Sequence, residues 1–207
     1  MKVAIIGAGH IGGNVARRLI SGGHHVRLAS RDPRSLSALV AALGETAGEG
    51  SASAVVGWGD VVWLAIPWVQ QDEVFASAGG PAAFAGKIVV DTLNPFVGFA
   101  VEPQQRPSSV LVGLALGPGA RLVKALNTIR FERIADAARP AGAIDRIAVP
   151  IAGDDAEAKA VVTRLLDDMG FDALDAGGLA HSRRQEPDQP LFDKQMTRAE
   201  LMRALAA

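Results

Sequence analysis

The first twenty residues change from one hydrophobic pattern to another within a short distance. Residues 2–6 form an apolar, β-rich run, which predicts a buried strand, and residues 14–20 have the periodicity of a helix. A glycine turn with the spacing G-x-G-x-x-G, at Gly7, Gly9 and Gly12, joins the two. The pattern therefore predicts a strand, a tight turn and a helix, which together make the first unit of an α/β fold.

The rest of the chain repeats this alternation of strand and helix patterns. Further strands are predicted at residues 25–29, 60–66, 86–91, 121–126, 145–152 and 171–175. Helices are predicted at residues 33–40, 69–78, 108–116, 153–169, 179–185 and 197–207. Residues 48–53 are predicted to be a loop or an irregular connection into a short helix that ends near Gly57. The proline-interrupted residues 96–107 are a candidate lid or a loop near the substrate. We predict a Rossmann-type, doubly wound, mostly parallel sheet with a small C-terminal α/β elaboration.

The glycine turn is typical of sites that bind the pyrophosphate of a dinucleotide. Gly7 permits the tight turn, Gly9 lets the backbone approach the pyrophosphate, and Gly12 lets helix and strand pack closely. His10 and Ile11 stand inside the turn, where the helix N-terminus offers free N–H groups to phosphate. Because such turns also arise for steric reasons alone, the position after a strand and before a helix is what favours cofactor binding.

The residues after the second predicted strand indicate which dinucleotide is bound. NAD sites place a carboxylate there to accept from the ribose 2′-hydroxyl, whereas Ser30, Arg31 and Arg34 suit the 2′-phosphate of NADP(H). The alternative for the arginines is a solvated helix start. Asp32 is either an NAD carboxylate or, as we prefer, an N-cap, because Pro33 suits the first turn of the next helix.

Three further groups of residues stand where predicted parallel strands end, which is where ligands bind in open α/β sheets. They are Ile66, Pro67 and Trp68; Asn94; and Asn127, Thr128 and Ile129. Pro67 and Trp68 have an alternative role in ending the strand and in packing, and Asn94 has one in a turn with Pro95. We expect all three groups to lie at one edge of the sheet.

Composition limits the chemistry further. The 207 residues include no cysteine, which removes disulfides and thiolate catalysis, and a net charge of −1 indicates neither a nucleic-acid nor a membrane partner. The apolar N-terminal run is too short for a signal peptide or a membrane span. The four histidines have no metal-ligand spacing and no nucleophile motif is present, so no catalytic or metal-binding residue is assigned. These features favour a cytoplasmic protein that transfers hydride to an acceptor needing little proton assistance.

Several blocks of sequence together resemble the NADP-dependent reductases of the deazaflavin coenzyme F-420. They are the glycine turn, Ser30–Arg31, residues 65–68, residues 124–129, residues 153–155 and residues 174–177, in the family's order over nearly the whole chain. The resemblance implies reversible hydride transfer between NADPH and the deazaflavin ring, with both rings stacked in a cleft. The chain is also similar to the cytosolic NADPH-binding part of membrane ferric reductases, although a membrane portion is not expected here.

Carried over by position, the resemblance implies a role for each matching residue. Gly7, Gly9, His10, Ile11 and Gly12 would contact the pyrophosphate; Ser30, Arg31 and Arg34 the 2′-phosphate; Ile66, Pro67 and Trp68 the nicotinamide; Asn127, Thr128 and Ile129 the ring stack; and Arg183 the deazaflavin. Beyond Arg183 the family's hydroxyl-bearing positions are Pro187 and Gln189, and a polar helical tail follows from Asp193. The resemblance is therefore stronger in the NADP-binding half than in the acceptor half.

We predict an NADP-dependent oxidoreductase with two parts that form one continuous unit. Residues 1–135 would be the NADP-binding Rossmann domain, and residues 136–207 a smaller part that completes the substrate cleft. The acceptor would be coenzyme F-420 or a flavin-like molecule, and the chain a homodimer. Two alternatives are an NADP(H)-binding sensor without turnover and a reductase of another acceptor, such as a ferric chelate, a small carbonyl or an imine.

Overall fold

The computed structural model describes the backbone of residues 1–207 and every side chain except those of Pro33 and Arg34. Its strands are β1 Lys2–Ile6, β2 His25–Ala29, β3 Ala47–Glu49, β4 Val61–Leu64, β5 Ile88–Asp91, β6 Phe96–Val97, β7 Ala100–Val101, β8 Arg121–Lys124, β9 Ala148–Ile151 and β10 Asp172–Asp175. Its α-helices are α1 His10–Ser21, α2 Pro33–Leu43, α3 Ala52–Trp58, α4 Gln71–Ser77, α5 Pro81–Phe84, α6 Ser108–Leu116, α7 Phe131–Asp136, α8 Ala156–Asp168 and α9 Arg198–Ala206.

The central sheet has six parallel strands in the order β3-β2-β1-β4-β5-β8. The direction of strand succession reverses between β1 and β4, which makes a crevice at the carboxyl ends of these two strands. Strands β9 and β10 form a separate parallel pair, and β6 and β7 form an antiparallel hairpin. The predicted Rossmann-type fold class is confirmed.

Helices cover both faces of the sheet, and this explains why the strand sequences are apolar at successive positions. In β1, Val3 and Ile5 pack into the core on one face, while Ala4 and Ile6 pack into the core on the other. Successive strand residues point to opposite faces, so a strand buried on both sides has to be apolar throughout. One core includes residues of α1, α2, α7 and α8, and the other includes residues of α3, α4, α5 and α6.

Two predicted loops contain strands. Residues 47–49 form β3 at the edge of the sheet, although Ala47, Gly48 and Glu49 have little strand propensity, because their backbone pairs with β2. Residues 96–101, inside the segment predicted as a loop, form the β6–β7 hairpin. In both cases hydrogen bonds between backbones form the strands, although the pattern of side chains does not predict them.

The C-terminal part continues from the edge of the main sheet. The backbone N–H of Lys124 donates to the Ala152 carbonyl at 2.8 Å, and the N–H of Ala152 donates back to the Lys124 carbonyl at 3.1 Å. Strand β9 contains Pro150, in agreement with its predicted edge position, and residues 179–185 form a 3₁₀ helix rather than an α-helix. Among the described residues, no helix has both the length and the apolar character needed to cross a membrane.

A buried ion pair joins the carboxyl ends of β5 and β8. The side chains of Lys124 and Asp91 are both fully buried, with Nζ 3.3 Å from Oδ2. Lys124 also donates to the carbonyl of Leu93, while Asp91 accepts from the Leu93 N–H at 2.8 Å and from the Ser109 hydroxyl at 2.6 Å. The pair therefore fixes the backbone of the loop that leaves β5.

We expect Lys124→Met to lower the free energy of unfolding by about 3–5 kcal/mol, because it leaves a buried carboxylate without its cation. Arg139→Met serves as the control, since Arg139 and Asp145 form an exposed pair and the loss should stay within about 1 kcal/mol. Urea denaturation followed by circular dichroism measures both. Equal losses in the two variants would contradict the structural role of the buried pair.

Candidate cofactor and acceptor site

A continuous groove runs along the carboxyl edge of the main sheet. It consists of a first cavity of about 400 Å³, a second of about 550 Å³ and a third of about 260 Å³. The first and second share Gly9, Ile66 and Pro67 in their lining, and the second and third share Asn94 and Phe131. The three cavities therefore adjoin one another in that order, and Gly9 of the glycine turn lies between the first two.

The three motif glycines have different surroundings in the turn. Gly7 has a φ of 102°, and a Cβ placed on it would overlap the carbonyl oxygen of Ala65. A Cβ on Gly12 would overlap the carbonyl oxygen of Gly7. A Cβ on Gly9, by contrast, would meet no protein atom within 4 Å. Gly7 and Gly12 are thus required by the chain's own packing, whereas the open space at Gly9 fits the close approach of a ligand.

Helix α1 begins directly at this space. Its N-cap is Gly9, no side chain caps its first amides, and its first turn contains no acidic residue. An uncapped helix start facing a groove is a suitable partner for phosphate, because its N–H groups and the helix dipole both favour negative charge. The turn therefore fits a pyrophosphate group.

Ser30 and Arg31 line the first cavity at the end of β2. The Arg31 side chain is exposed and has no hydrogen bond or ion pair with any described residue, so it is available to a ligand. Asp32 accepts from the Ser35 N–H at 3.4 Å, as expected for the N-cap of α2. The predicted role of Arg34 concerns a side chain outside those that the structure describes.

Other residues of the first cavity carry no sequence signal. Ser51, Ala52, Gln70 and Ser77 come from the start of α3, from the 3₁₀ helix Trp68–Gln70 and from α4. Ser51 also caps α3, accepting from the Ala54 N–H at 3.2 Å. Because these segments contain no recognisable motif, only the packing of α3 and α4 against the sheet identifies them.

Ile66, Pro67 and Trp68 line the second cavity. The Trp68 side chain is only 6% exposed, and its indole N–H donates to Glu102 at 2.9 Å. Trp68 is therefore both a packing residue and part of the cavity wall. Its bond to Glu102 connects this wall to the segment that follows the β6–β7 hairpin.

Asn94 and Asn127 meet at the boundary between the second and third cavities. The Asn127 side-chain amide donates to Asn94 Oδ1 at 3.0 Å and to the Gln185 carbonyl at 2.7 Å, and Asn94 donates to the Asn127 carbonyl at 3.2 Å. Thr128 and Ile129 follow in the wall of the third cavity. The structure thus brings together the predicted groups after β5 and β8, and the two asparagines hold the loops in register.

Aromatic side chains line the far part of the groove. His10 stacks on Phe131, with ring centroids 4.6 Å apart and an angle of 23° between the planes, and Phe96 meets Phe192 edge to face at 6.2 Å. The sequence prediction missed Phe131, although it follows the predicted Asn127–Ile129 group by two residues, and Phe192 had no signal at all. Planar apolar walls of this kind suit ring-shaped ligands.

Arg183 does not line any of the three cavities. Its guanidinium donates to the Gln104 carbonyl and lies 3.5 Å from a carboxylate oxygen of Glu186. Its role beside a deazaflavin therefore stays a prediction. Among the described lining of the second cavity, His10 is the one titratable side chain.

Comparison with known proteins also indicates an NADP-dependent oxidoreductase. Residues 2–95 match the family described as NADP oxidoreductase, coenzyme F420-dependent. The chain is 30% identical over 185 residues to metalloreductase STEAP3 of Rattus norvegicus, an alignment that covers 89% of this chain and 36% of that protein. The chain thus spans about a third of the length of this curated relative.

Two solved structures are similar over nearly their whole length. Protein SMa0349 of Sinorhizobium meliloti superposes with a TM-score of 0.82 and 30% identity, covering 96% of each chain. A protein of Arthrobacter sp. FB24 named as an F420-dependent NADP reductase superposes with a TM-score of 0.79 and 26% identity, covering 96% of this chain and 100% of the other.

Fold, groove and likenesses together define the chain as an NADP-dependent oxidoreductase of the Rossmann type. More particularly, its residues 2–95, which include the glycine turn, Ser30 and Arg31, match the family described as NADP oxidoreductase, coenzyme F420-dependent.

The glycine surroundings predict opposite effects for two similar substitutions. Gly9→Ala should weaken NADPH binding roughly tenfold or more while leaving stability nearly unchanged, because the new methyl group enters only the ligand's space. Gly12→Ala should lower the free energy of unfolding by about 3 kcal/mol, because the methyl group meets backbone.

Gly57→Ala is the control, since a Cβ there also meets nothing and the residue lies outside the groove lining. Fluorescence titration with NADPH and urea denaturation measure the two effects. Normal NADPH affinity in a folded Gly9→Ala protein would exclude a pyrophosphate at this turn.

Proposed function

We propose that this protein transfers hydride between NADP(H) and a planar ring acceptor, either a deazaflavin such as coenzyme F-420 or a flavin. The observation that carries the proposal is the continuity of the groove. One end has an uncapped helix start and Arg31, which has no partner among the described side chains, and the other end has aromatic walls. A dinucleotide with a second ring beside its nicotinamide would contact these surfaces in that order along the groove.

Different groups of residues would bind different parts of NADP(H). Gly7, Gly9, His10, Ile11 and Gly12 would hold the pyrophosphate, and Ser30, Arg31 and Arg34 the 2′-phosphate. Ile66, Pro67, Trp68 and Asn94 would lie beside the nicotinamide, and Asn127, Thr128 and Ile129 beside the ring stack. When bound there, NADPH would supply a hydride from nicotinamide C4 to the acceptor ring, with a proton from water where the reduction requires one, leaving NADP⁺ as the oxidised product.

This chain's own residues contribute mainly positioning and exclusion of water. The stack of His10 and Phe131, together with Phe96, gives the second cavity flat aromatic walls. The hydrogen bond between Asn94 and Asn127 joins the loops that follow β5 and β8, at the boundary between the second and third cavities. Holding two rings face to face lowers the barrier through orientation, which needs no catalytic acid.

We also propose the division into residues 1–135 and 136–207 as cofactor-binding and acceptor-completing parts. The contact that supports it is the lining of the third cavity, which combines Arg130 of the first part with Phe192 and Asp193 of the second. The homodimer and the cytoplasmic location stay predictions.

An acceptor screen tests the proposal. Purified protein is mixed without oxygen with NADPH and, in separate reactions, coenzyme F-420, riboflavin, FMN, FAD and a ferric chelate, and NADPH oxidation is followed by absorbance. We expect oxidation with one or more of the ring acceptors. Oxidation with the ferric chelate alone would favour a metal reductase, in line with the rat relative's name. NADPH binding without oxidation by any acceptor would favour a sensor.

The 2′-phosphate assignment predicts a cofactor-selective defect. Arg31→Ala should weaken NADPH binding by about 2 kcal/mol and leave NADH binding nearly unchanged, because NADH lacks the charged group that the guanidinium would contact. Arg164→Ala, an exposed arginine on α8, is the matched control. Isothermal titration with both cofactors measures the difference. The same loss for NADPH and NADH would refute the assignment.

A further inference from the structure

An exposed ion pair lies in the lining of the third cavity, at the proposed acceptor end of the groove. Arg130 Nε donates to Asp193 Oδ1 and Arg130 Nη2 donates to Asp193 Oδ2, both at 2.8 Å. Both residues line the cavity, and they are 63 positions apart in the chain. The two parallel bonds form the bidentate arrangement that a guanidinium makes with a carboxylate or a phosphate.

The backbone around this pair is unusual. In the described backbone, the non-glycine residues with positive φ are Leu126, at 60°, and Asp193, at 55°. Both line the third cavity. Such conformations are costly and persist where surrounding contacts impose them. Aspartate adopts this conformation more readily than most residues, and the two bonds from Arg130 hold its carboxylate in place.

The pair balances the charge of the acceptor end. Among the described residues lining the second and third cavities, the titratable side chains are His10, Arg130 and Asp193. Hydrogen bonding to Arg130 holds the pKa of Asp193 below its ordinary value, so the carboxylate is charged at neutral pH. Beside the pair, Glu132 and Lys194 carry opposite charges. The charges of Arg130, Asp193, Glu132 and Lys194 therefore cancel, so that these four described residues do not favour an anionic acceptor.

We propose that Asp193 sets the charge selectivity of the acceptor site by occupying the guanidinium of Arg130. The site would then bind a planar ring by its aromatic walls, indifferent to whether the ring carries a phosphate. Without Asp193, the guanidinium would be free to bind that phosphate. This inference rests on the proposed hydride transfer to a ring acceptor.

Riboflavin and FMN form the matched pair of acceptors for the test, because they share one ring and differ by a phosphate. Each assay follows NADPH oxidation without oxygen, in which flavin N5 takes the hydride and water supplies the accompanying proton. The measured quantity is the ratio of kcat/KM for FMN to kcat/KM for riboflavin. For the natural sequence we expect a ratio within about threefold of one, because the facing charges cancel.

The two halves of the pair predict shifts of opposite sign. Asp193→Asn should raise the ratio roughly tenfold, because Arg130 becomes free to bind phosphate; asparagine also tolerates the positive φ. Arg130→Gln should lower the ratio roughly threefold or more, because the unpaired carboxylate repels phosphate. The double variant should return near the natural ratio, and the shift in Asp193→Asn should shrink in about 1 M salt.

A purely structural role would affect both flavins alike and leave the ratio unchanged in every variant. Unchanged ratios, or shifts of the same sign in both single variants, would overturn the inference while the proposed function stands. Asp145→Asn is the control, since it breaks a similarly exposed pair with Arg139 that lines none of the cavities. Circular dichroism and NADPH titration confirm that each variant is folded.

Two other outcomes separate this inference from the proposed function. If F-420 is reduced and the flavins are not, the same ratio is measured with F-420 and its uncharged riboside core, and the same signs are expected. If the natural protein does not oxidise NADPH with any of the tested acceptors, the proposed function fails and the inference fails with it.

Discussion

The buried ion pair of Lys124 and Asp91 is the interaction on which the functional edge of the sheet depends. Two opposite charges without access to water hold each other in one geometry, because separating them would leave each one desolvated. Here that geometry includes the backbone of Leu93 and the hydroxyl of Ser109. Asn94 follows directly and meets Asn127, which itself follows β8 by three residues. The ends of two strands are thereby locked together beneath the groove.

Above this floor, the groove combines two kinds of surface that serve different purposes. Around Gly9 it offers free backbone N–H groups at a helix start, which suit phosphate. Around His10 and Phe131 it offers flat aromatic walls, which suit rings. The open space at Gly9 connects the two, so one extended molecule can contact both. The C-terminal part adds Phe192 and Asp193, and with them a charge-balanced end.

The sequence predicted best those parts of the site whose function depends on local backbone geometry. Gly12 is required by its contact with Gly7, five residues away, and Gly7 by its positive φ and by the Ala65 carbonyl, and together they leave a motif. Phe131, Phe192 and Ser51 are ordinary residues by type and become part of the groove only through the packing of separate segments. Arg183 shows the opposite case: resemblance pointed to it, yet its guanidinium is bonded to the Gln104 carbonyl outside the groove lining.

By itself, the sequence determined the first strand–turn–helix unit, the fold class and the glycine turn at one end of the groove. Those features follow from hydrophobic periodicity and from glycines that no other residue can replace sterically. The tertiary structure alone decided β3, the β6–β7 hairpin, the aromatic walls and the pairing of Arg130 with Asp193. These depend on backbone pairing and on contacts between residues far apart in the chain, and such contacts leave no period or spacing in the sequence.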